Sequence, residues 1–306
     1  MKLKISLRNS ASPALPYLPN RLLRRKSGAS PALVFSIIAC AVILFSGCLE
    51  KIEPTYKEND IPRLVKKICK QEYNLEVTTD RVANTLWIYA PLDKLLHKDY
   101  GIKEDKIFDE ETVDKLRNIL TTIGRVLISS DNTPEFYALV VSDIKLGLDY
   151  MLIGDVLDIK KSYAGVIPWT EANRRYVVRL KASPEAIADT TGKHLQAEEI
   201  KLGGFLAEQV AQRITAEFQQ EGLKKYFKVD KSTGSFIDNA FLFEYSIEPL
   251  FKPPKETNIQ EEILKIIAYC LRSYDFNNFS TVELKNLLTQ DSLILGKTEI
   301  WARPMD

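Results

Sequence analysis

The chain has 306 residues, 45% of them hydrophobic and 27% charged, ordinary values for a globular protein with one large domain or two small ones. The net charge of +1 hides a division: residues 1–48 carry seven basic side chains and no acidic one, so the remainder is about six charges negative. An acidic body argues against a nucleic-acid partner, which wants a basic face.

Residues 1–30 are basic and rich in Ser, Pro and Leu. Residues 31–45 run Pro-Ala-Leu-Val-Phe-Ser-Ile-Ile-Ala-Cys-Ala-Val-Ile-Leu-Phe without a charge, and Ser46-Gly47-Cys48 follows. A positive start, a short apolar run and small residues at the cut describe an export signal. The basic flank stays on the cytoplasmic side while the apolar run enters the bilayer.

Leu44-Phe45-Ser46-Gly47-Cys48 resembles the lipobox of bacterial lipoproteins, with Phe45 where that family usually has Leu or another aliphatic residue. The resemblance implies a diacylglyceryl group on the Cys48 thiol, cleavage between Gly47 and Cys48, and acylation of the new amine, by palmitate for example. It covers the signal region alone. Two or three acyl chains anchor a protein stably, whereas one is marginal. Leu49 is not the Asp that commonly retains a lipoprotein at the inner membrane, so the resemblance implies the periplasmic face of the outer membrane where the envelope has two.

Other readings stay open. An uncleaved anchor needs ~20 apolar residues, and this run is nearer fifteen. A cleaved signal with a bystander Cys48 fits the same pattern. A transit peptide shares the acid-free composition but does not need an apolar block before Gly-Cys. Arg24-Arg25 suggests a twin-arginine signal, yet Lys26-Ser27-Gly28 lacks the apolar residues expected next. The expected organisation is a signal at 1–47, a lipidated tether at 48–59 and a domain at 60–306. Two α/β halves would meet near 182–200.

In the body, Asp60-Ile61-Pro62 predicts a helix entry, with Leu64, Val65, Ile68 and Cys69 as its apolar stripe. Leu75–Thr78 and Thr85–Tyr89 read as strands, and 97–108 as a loop. Glu110–Ser129 has helical spacing through Val113, Leu116, Leu120, Ile123 and Leu127. Phe136–Ile144 is β-rich, and Leu148–Ile159 reads as helix. Pro168-Trp169 opens another helix, whereas Tyr176-Val177-Val178 prefers a strand. Residues 182–200 read as a loop, Gly204–Gln220 as a helix and Phe236–Ile247 as a strand. Pro253-Pro254 breaks the chain. Ile259, Ile263, Ile267, Cys270 and Tyr274 mark a helix, and strands are expected near Ser280–Leu284 and Thr298–Ala302. Cys69…Tyr73 and Cys270…Tyr274 form a faint echo, which chance explains best. The pattern predicts an α+β fold, with helices on one face of a largely antiparallel or mixed sheet.

No constellation of catalytic residues stands out. His97 and His194 lie in expected loops without a partner at metal-ligand spacing, so a solvated ring is the simpler reading of each. Asp143, Asp149, Asp155 and Asp158 form an acidic series that spacing alone does not converge on a cation. Thr190-Thr191-Gly192-Lys193 lacks the phosphate-loop spacing. Ser142-Asp143-Ile144-Lys145 matches Ser-x-x-Lys without companion motifs. Cys69 and Cys270 are buried thiols or, in an oxidising compartment, a disulfide closing about 200 residues. Trp87 and Tyr89 share a strand face that is a core face by default, and Trp169 is the best candidate for an exposed aromatic.

The resulting expectation is a membrane-anchored envelope lipoprotein, more a binding or assembly module than an enzyme. It implies no cofactor and no metal, the membrane as one partner, and an envelope protein as another. A hydrolase using two carboxylates in a cleft and a small-ligand binding protein with a deep pocket are the alternatives.

Overall fold

Amphipathic helices and hairpins alternate along the body of the chain, and the fold uses one pattern, α-β-β-α-β-β, twice. The computed structural model describes residues 55–97, 107–253 and 257–303. The first half comprises α1 (Ile61–Tyr73), β1 (Thr78–Val82), β2 (Thr85–Leu92), α2 (Glu110–Ile128), β3 (Phe136–Asp143) and β4 (Leu148–Asp155). Helices α3 (Val156–Tyr163) and α4 (Trp169–Arg174) and strand β5 (Val177–Ala182) follow. The second half comprises α5 (Leu202–Phe218), β6 (Phe227–Ile237), β7 (Ala240–Pro249), α6 (Ile259–Ser273), β8 (Thr281–Asn286) and β9 (Ser292–Gly296), closed by α7 (Lys297–Trp301).

The strands form two mixed sheets, β1-β2-β3-β4-β5 and β6-β7-β8-β9. In each, two antiparallel hairpins meet along one parallel pair, β2 with β3 and β7 with β8. The parallel pairs require crossovers, and α2 and α6 supply them. The fold is α+β, with four layers. Helices α1 and α2 cover one face of the first sheet, packing Val65, Ile119 and Ile123 on Leu86, Ile88, Leu139 and Val141. Its other face presents Trp87, Phe136, Ala138 and Val140 to the cluster that contains Phe205, Leu206 and Val210 of α5. That same cluster takes in Phe241, Phe243, Val282 and Leu284 of the second sheet.

This layering explains the burial patterns. Strand β3 is buried at every position because both faces of its sheet are covered. Strand β7 alternates buried and half-buried residues because its outer face meets solvent, where Glu244 pairs with Lys231 and Lys285. Helix α5 buries residues around much of its circumference, as a middle layer must. It approaches β6 so closely that a Cβ on Gly234 would lie 2.1 Å from the Ala207 carbonyl oxygen.

Several expectations need correction. Leu148–Ile159 is strand β4 followed by α3, because a short apolar run fits period 2 as well as 3.6. Phe236–Ile247 spans the β6–β7 hairpin, turned by Asp238 and Asn239 at φ of 50° and 60°. Thr298–Ala302 is mostly helix α7, started where Glu299 reaches back to the Gly296 N–H at 2.7 Å; the strand is β9, just before it. Leu75–Val77 precedes strand β1. Asp60 caps nothing; it ends a 3-10 turn over Glu58–Asp60. Within the segment expected as tether, the Tyr56 N–H donates to Ser129 O at 3.0 Å.

Of the two readings left open for Cys69 and Cys270, buried thiols and a disulfide, the structure has the first. Both thiols are free and buried, Cys69 in the α1–α2 core and Cys270 in the α5–α6 core. The first sheet lies between them, and two layers of about 10 Å each exceed any disulfide span. The Cys echo follows no structural register: α1 corresponds by topology to α5, while Cys270 lies on α6, and Trp301 is helical.

Candidate functional site

Strand register sets one wall of the site. Ser142 on β3, Asp149 on β4 and Lys181 on β5 stand side by side, as do Met151 and Arg179 one step along. The segment 183–201 then crosses this sheet face. Trp87 Nε1 donates to Glu198 O at 2.9 Å, the Ile200 N–H to Thr85 Oγ1 at 2.9 Å, and the Tyr89 hydroxyl to Asp189 O.

Asp189 organises the crossing segment. Its Oδ1 accepts from the Thr191 N–H at 2.8 Å, the Thr191 hydroxyl at 2.9 Å and the Gly192 N–H at 3.0 Å. Its Oδ2 accepts from the His194 N–H at 3.0 Å and lies 2.7 Å from His194 Nδ1. Burial opposes the charge on Asp189, but the His194 ring and these backbone and hydroxyl donors outweigh it and hold the carboxyl well below the usual range. Gly192 has φ of +78°, and a Cβ there would lie 2.8 Å from the Tyr89 ring. Glycine therefore serves twice at this position.

His194 is the centre of the cluster, and the expectation of a solvated ring is wrong. Its side chain is 4% exposed. Nδ1 faces Asp189, and Nε2 lies 3.3 Å from both oxygens of Asp149, which also accepts from the Ser142 hydroxyl. The ring meets Tyr89 edge-on, with centroids 5.6 Å apart. Burial raises the Tyr89 phenol above its ordinary value. A cavity of about 450 Å³ opens beside the cluster, lined by Trp87, Asp149, Met151, Arg179, Lys181 and Glu185 with His194 and its neighbours. Arg179 is held by both oxygens of Glu208.

A second buried network joins the halves. Arg175 donates to Asp158 at 2.8 Å and to Glu171 at 3.0 Å. Arg213 of α5 grips Glu171 through both terminal nitrogens, at 2.9 and 3.0 Å. Tyr274 donates to Asp158, and Gln209 donates to Tyr274 at 2.8 Å and to Arg175 O at 2.6 Å. Burial works against the charge on Glu171, yet Arg213 and Arg175 hold it below the usual range. The members of this network are one another's partners.

No protein-family model, curated protein or solved structure matches this chain. Function therefore rests on the residues themselves.

The acidic series separates into four tasks. Asp143 accepts the N–H groups of Leu95, Lys145 and Leu146 at 3.0, 3.0 and 2.8 Å. Asp149 meets His194, Asp155 caps α3 through Leu157 N–H at 2.6 Å, and Asp158 pairs with Arg175. Among the described residues no three His, Cys, Asp or Glu side chains gather as a metal site, and no helix is long and apolar enough to cross a membrane. Ser142 of the Ser-x-x-Lys match is fully buried against Asp149. Trp169 is 59% exposed, and Trp87 and Tyr89 are on the α5-facing side of their sheet. Gly47 and Cys48 lie outside the described residues. Arg175, Gln209 and Tyr274 carry no local sequence signal, because their distant partners stand 17 to 116 positions away, whereas the Asp189 side chain meets Thr191, Gly192 and His194 within five residues.

Proposed function

We propose that this protein is an envelope lipoprotein, anchored through lipid on Cys48, whose domain binds a ligand or partner without converting it. The observation that carries the binding reading is the commitment of both His194 nitrogens. Asp189 takes one and Asp149 faces the other, so neither nitrogen is spare to draw a proton from a nucleophile. The ring acts as a clamp that holds segment 183–201 on the first sheet and shapes the cavity wall. Lys181 and Glu185 on the cavity wall, with Trp87 and Met151 in the same lining, suit a ligand bearing both charge signs and an apolar part. A volume near 450 Å³ is within the ~300–1,000 Å³ range of small-molecule sites.

The address rests on Leu44-Phe45-Ser46-Gly47-Cys48. Metabolic fatty-acid labelling of wild type and Cys48→Ala tests it. Loss of label and of membrane retention in the variant supports the anchor. Retention without label in either protein favours an uncleaved apolar segment.

A hydrolase is the second reading, favoured by Asp149 and Glu185 lining one cavity. Turnover of a model ester or glycoside that Asp149→Asn abolishes would establish it over the binding reading.

A further inference from the structure

We infer that the α3–α4 segment is a membrane-contacting surface, inserting Tyr163, Val166 and Trp169 into the headgroup region of an anionic bilayer. The inference rests on the lipid anchor proposed above. Three observations lead to it.

The first is the concentration of exposed apolar side chains. Leu157, Tyr163, Val166 and Trp169 are 54, 57, 68 and 59% exposed, all within one short stretch. Tyr and Trp suit a membrane–water boundary, because each joins an apolar ring to a polar group.

The second is charge. Lys160 and Lys161 close α3 and Arg174 closes α4. The acidic residues of the same stretch are turned to internal work. Asp155 caps α3, and Asp158 and Glu171 are held by Arg175 and Arg213. Arg174 itself pairs with Glu217 at 3.0 Å and Lys160 donates to the neutral Thr133 hydroxyl, leaving Lys161, with the charge that Lys160 keeps beside it, as the basic groups for anionic lipid.

The third is where the chain enters the domain. Tyr56 is bound on both sides: its N–H donates to Ser129 O, and its carbonyl accepts from Asp131 N–H, each at 3.0 Å. That turn follows directly on Ile128, itself 40% exposed. Lys160 Nζ donates to Thr133 Oγ1 at 3.1 Å, tying α3 to the same turn. Tyr163 lies over Gly124 of α2, its hydroxyl 3.2 Å from where a Cβ would stand. The entry point and helix α3, which leads into the rest of the apolar stretch, thus share one end of the first half. From Cys48 to Tyr56 the extended chain reaches at most about 28 Å. A domain of this size is roughly 45 Å across. A lipid on Cys48 therefore brings the Tyr56 end toward the bilayer.

The test uses the full chain, matured in cells, purified in detergent and reconstituted into phosphatidylcholine–phosphatidylglycerol vesicles with or without bromine on the acyl chains. Trp87 is buried and Trp301 half-buried, so Trp169→Phe isolates the exposed indole. The expected result is about a twofold loss of Trp169 emission in brominated vesicles. Val166→Asp, a change at an exposed position, should reduce that quenching while leaving the far-UV spectrum unchanged. Equal Trp169 emission in both vesicle types, with ready quenching by aqueous acrylamide, overturns the inference. Trp169 shielded from acrylamide in native membranes but not in pure lipid points to a protein partner and also overturns it. Acylation is read by mass on the same sample. An acylated chain with unquenched Trp169 overturns the contact and leaves the anchor. Quenching on an unacylated chain overturns the anchor and leaves the contact.

Discussion

The Tyr274 hydroxyl donates to the Asp158 carboxylate across 116 residues, bonding the second half of the fold to the first. Arg175 meets the other oxygen of Asp158 at 2.8 Å, with both side chains at most 6% exposed. A buried charge without its partner is costly, so Arg175→Met should lower stability by about 3–5 kcal/mol. Tyr274→Phe removes one charge-assisted donor and should cost about 1.5–3 kcal/mol. Urea titration of both variants checks the order. Equal, small losses would mean the network contributes little to joining the halves.

Asp155 should give the protein an acid-side stability gain. Burial, then the nearby Asp158, push its carboxyl up to about 6, above an unfolded value near 3.9. Between about pH 4 and pH 6 the folded state therefore binds more protons than the unfolded one, and this group's contribution falls as pH rises. Asp155→Asn keeps a capping side chain and removes the charge. The variant should match wild type near pH 4 and exceed it above pH 6. Asp189 has the opposite sign: its depressed carboxyl stabilises above about pH 4, and that contribution is lost below it. Denaturation midpoints across pH 3–8 for Asp155→Asn and Asp189→Asn separate the two.

The two body cysteines should behave as inert thiols. Burial pushes Cys270 up to about 12 and raises Cys69, so neither is an available thiolate at neutral pH. Thiol titration of the mature protein should find negligible reaction when folded and two groups when unfolded without reductant. No reactive thiol in the unfolded, unreduced protein would restore the disulfide.

Much of this fold is legible in periodicity. Leu116, Ile123 and Leu127 announce α2, and Ile263, Ile267 and Cys270 announce α6, because each stripe faces one core; Val113 of the expected α2 stripe is exposed. The misreading of Leu148–Asp155 has a specific cause. The short apolar run fits both periods, and Asp149 at its start is buried because His194, 45 residues later, meets it. The candidate site was hidden for the same reason. His194 looked solvated because a loop is normally wet, and nothing near it in sequence says that Tyr89, Asp149 and Trp87 lie beneath the loop. Trp169 was visible, since Pro168 and its polar neighbours mark a turn.

His194→Ala should release segment 183–201. The ring's contacts to Asp149 and Asp189 are lost and both carboxylates stay buried, a cost of about 2–4 kcal/mol. Limited proteolysis should then cut first between Ile187 and Leu195, at a lower protease concentration than wild type requires. Unchanged cleavage would show that Trp87, Tyr89 and Thr85 hold the segment without the clamp.

The N-terminal peptide of the membrane-extracted protein tests the proposed lipid anchor most directly. Mass spectrometry should find a chain beginning at Cys48, with a diacylglyceryl thioether and an acylated amine, followed by Leu49-Glu50-Lys51. A chain that retains residues 1–47, or one that begins elsewhere with an unmodified Cys48, would contradict it.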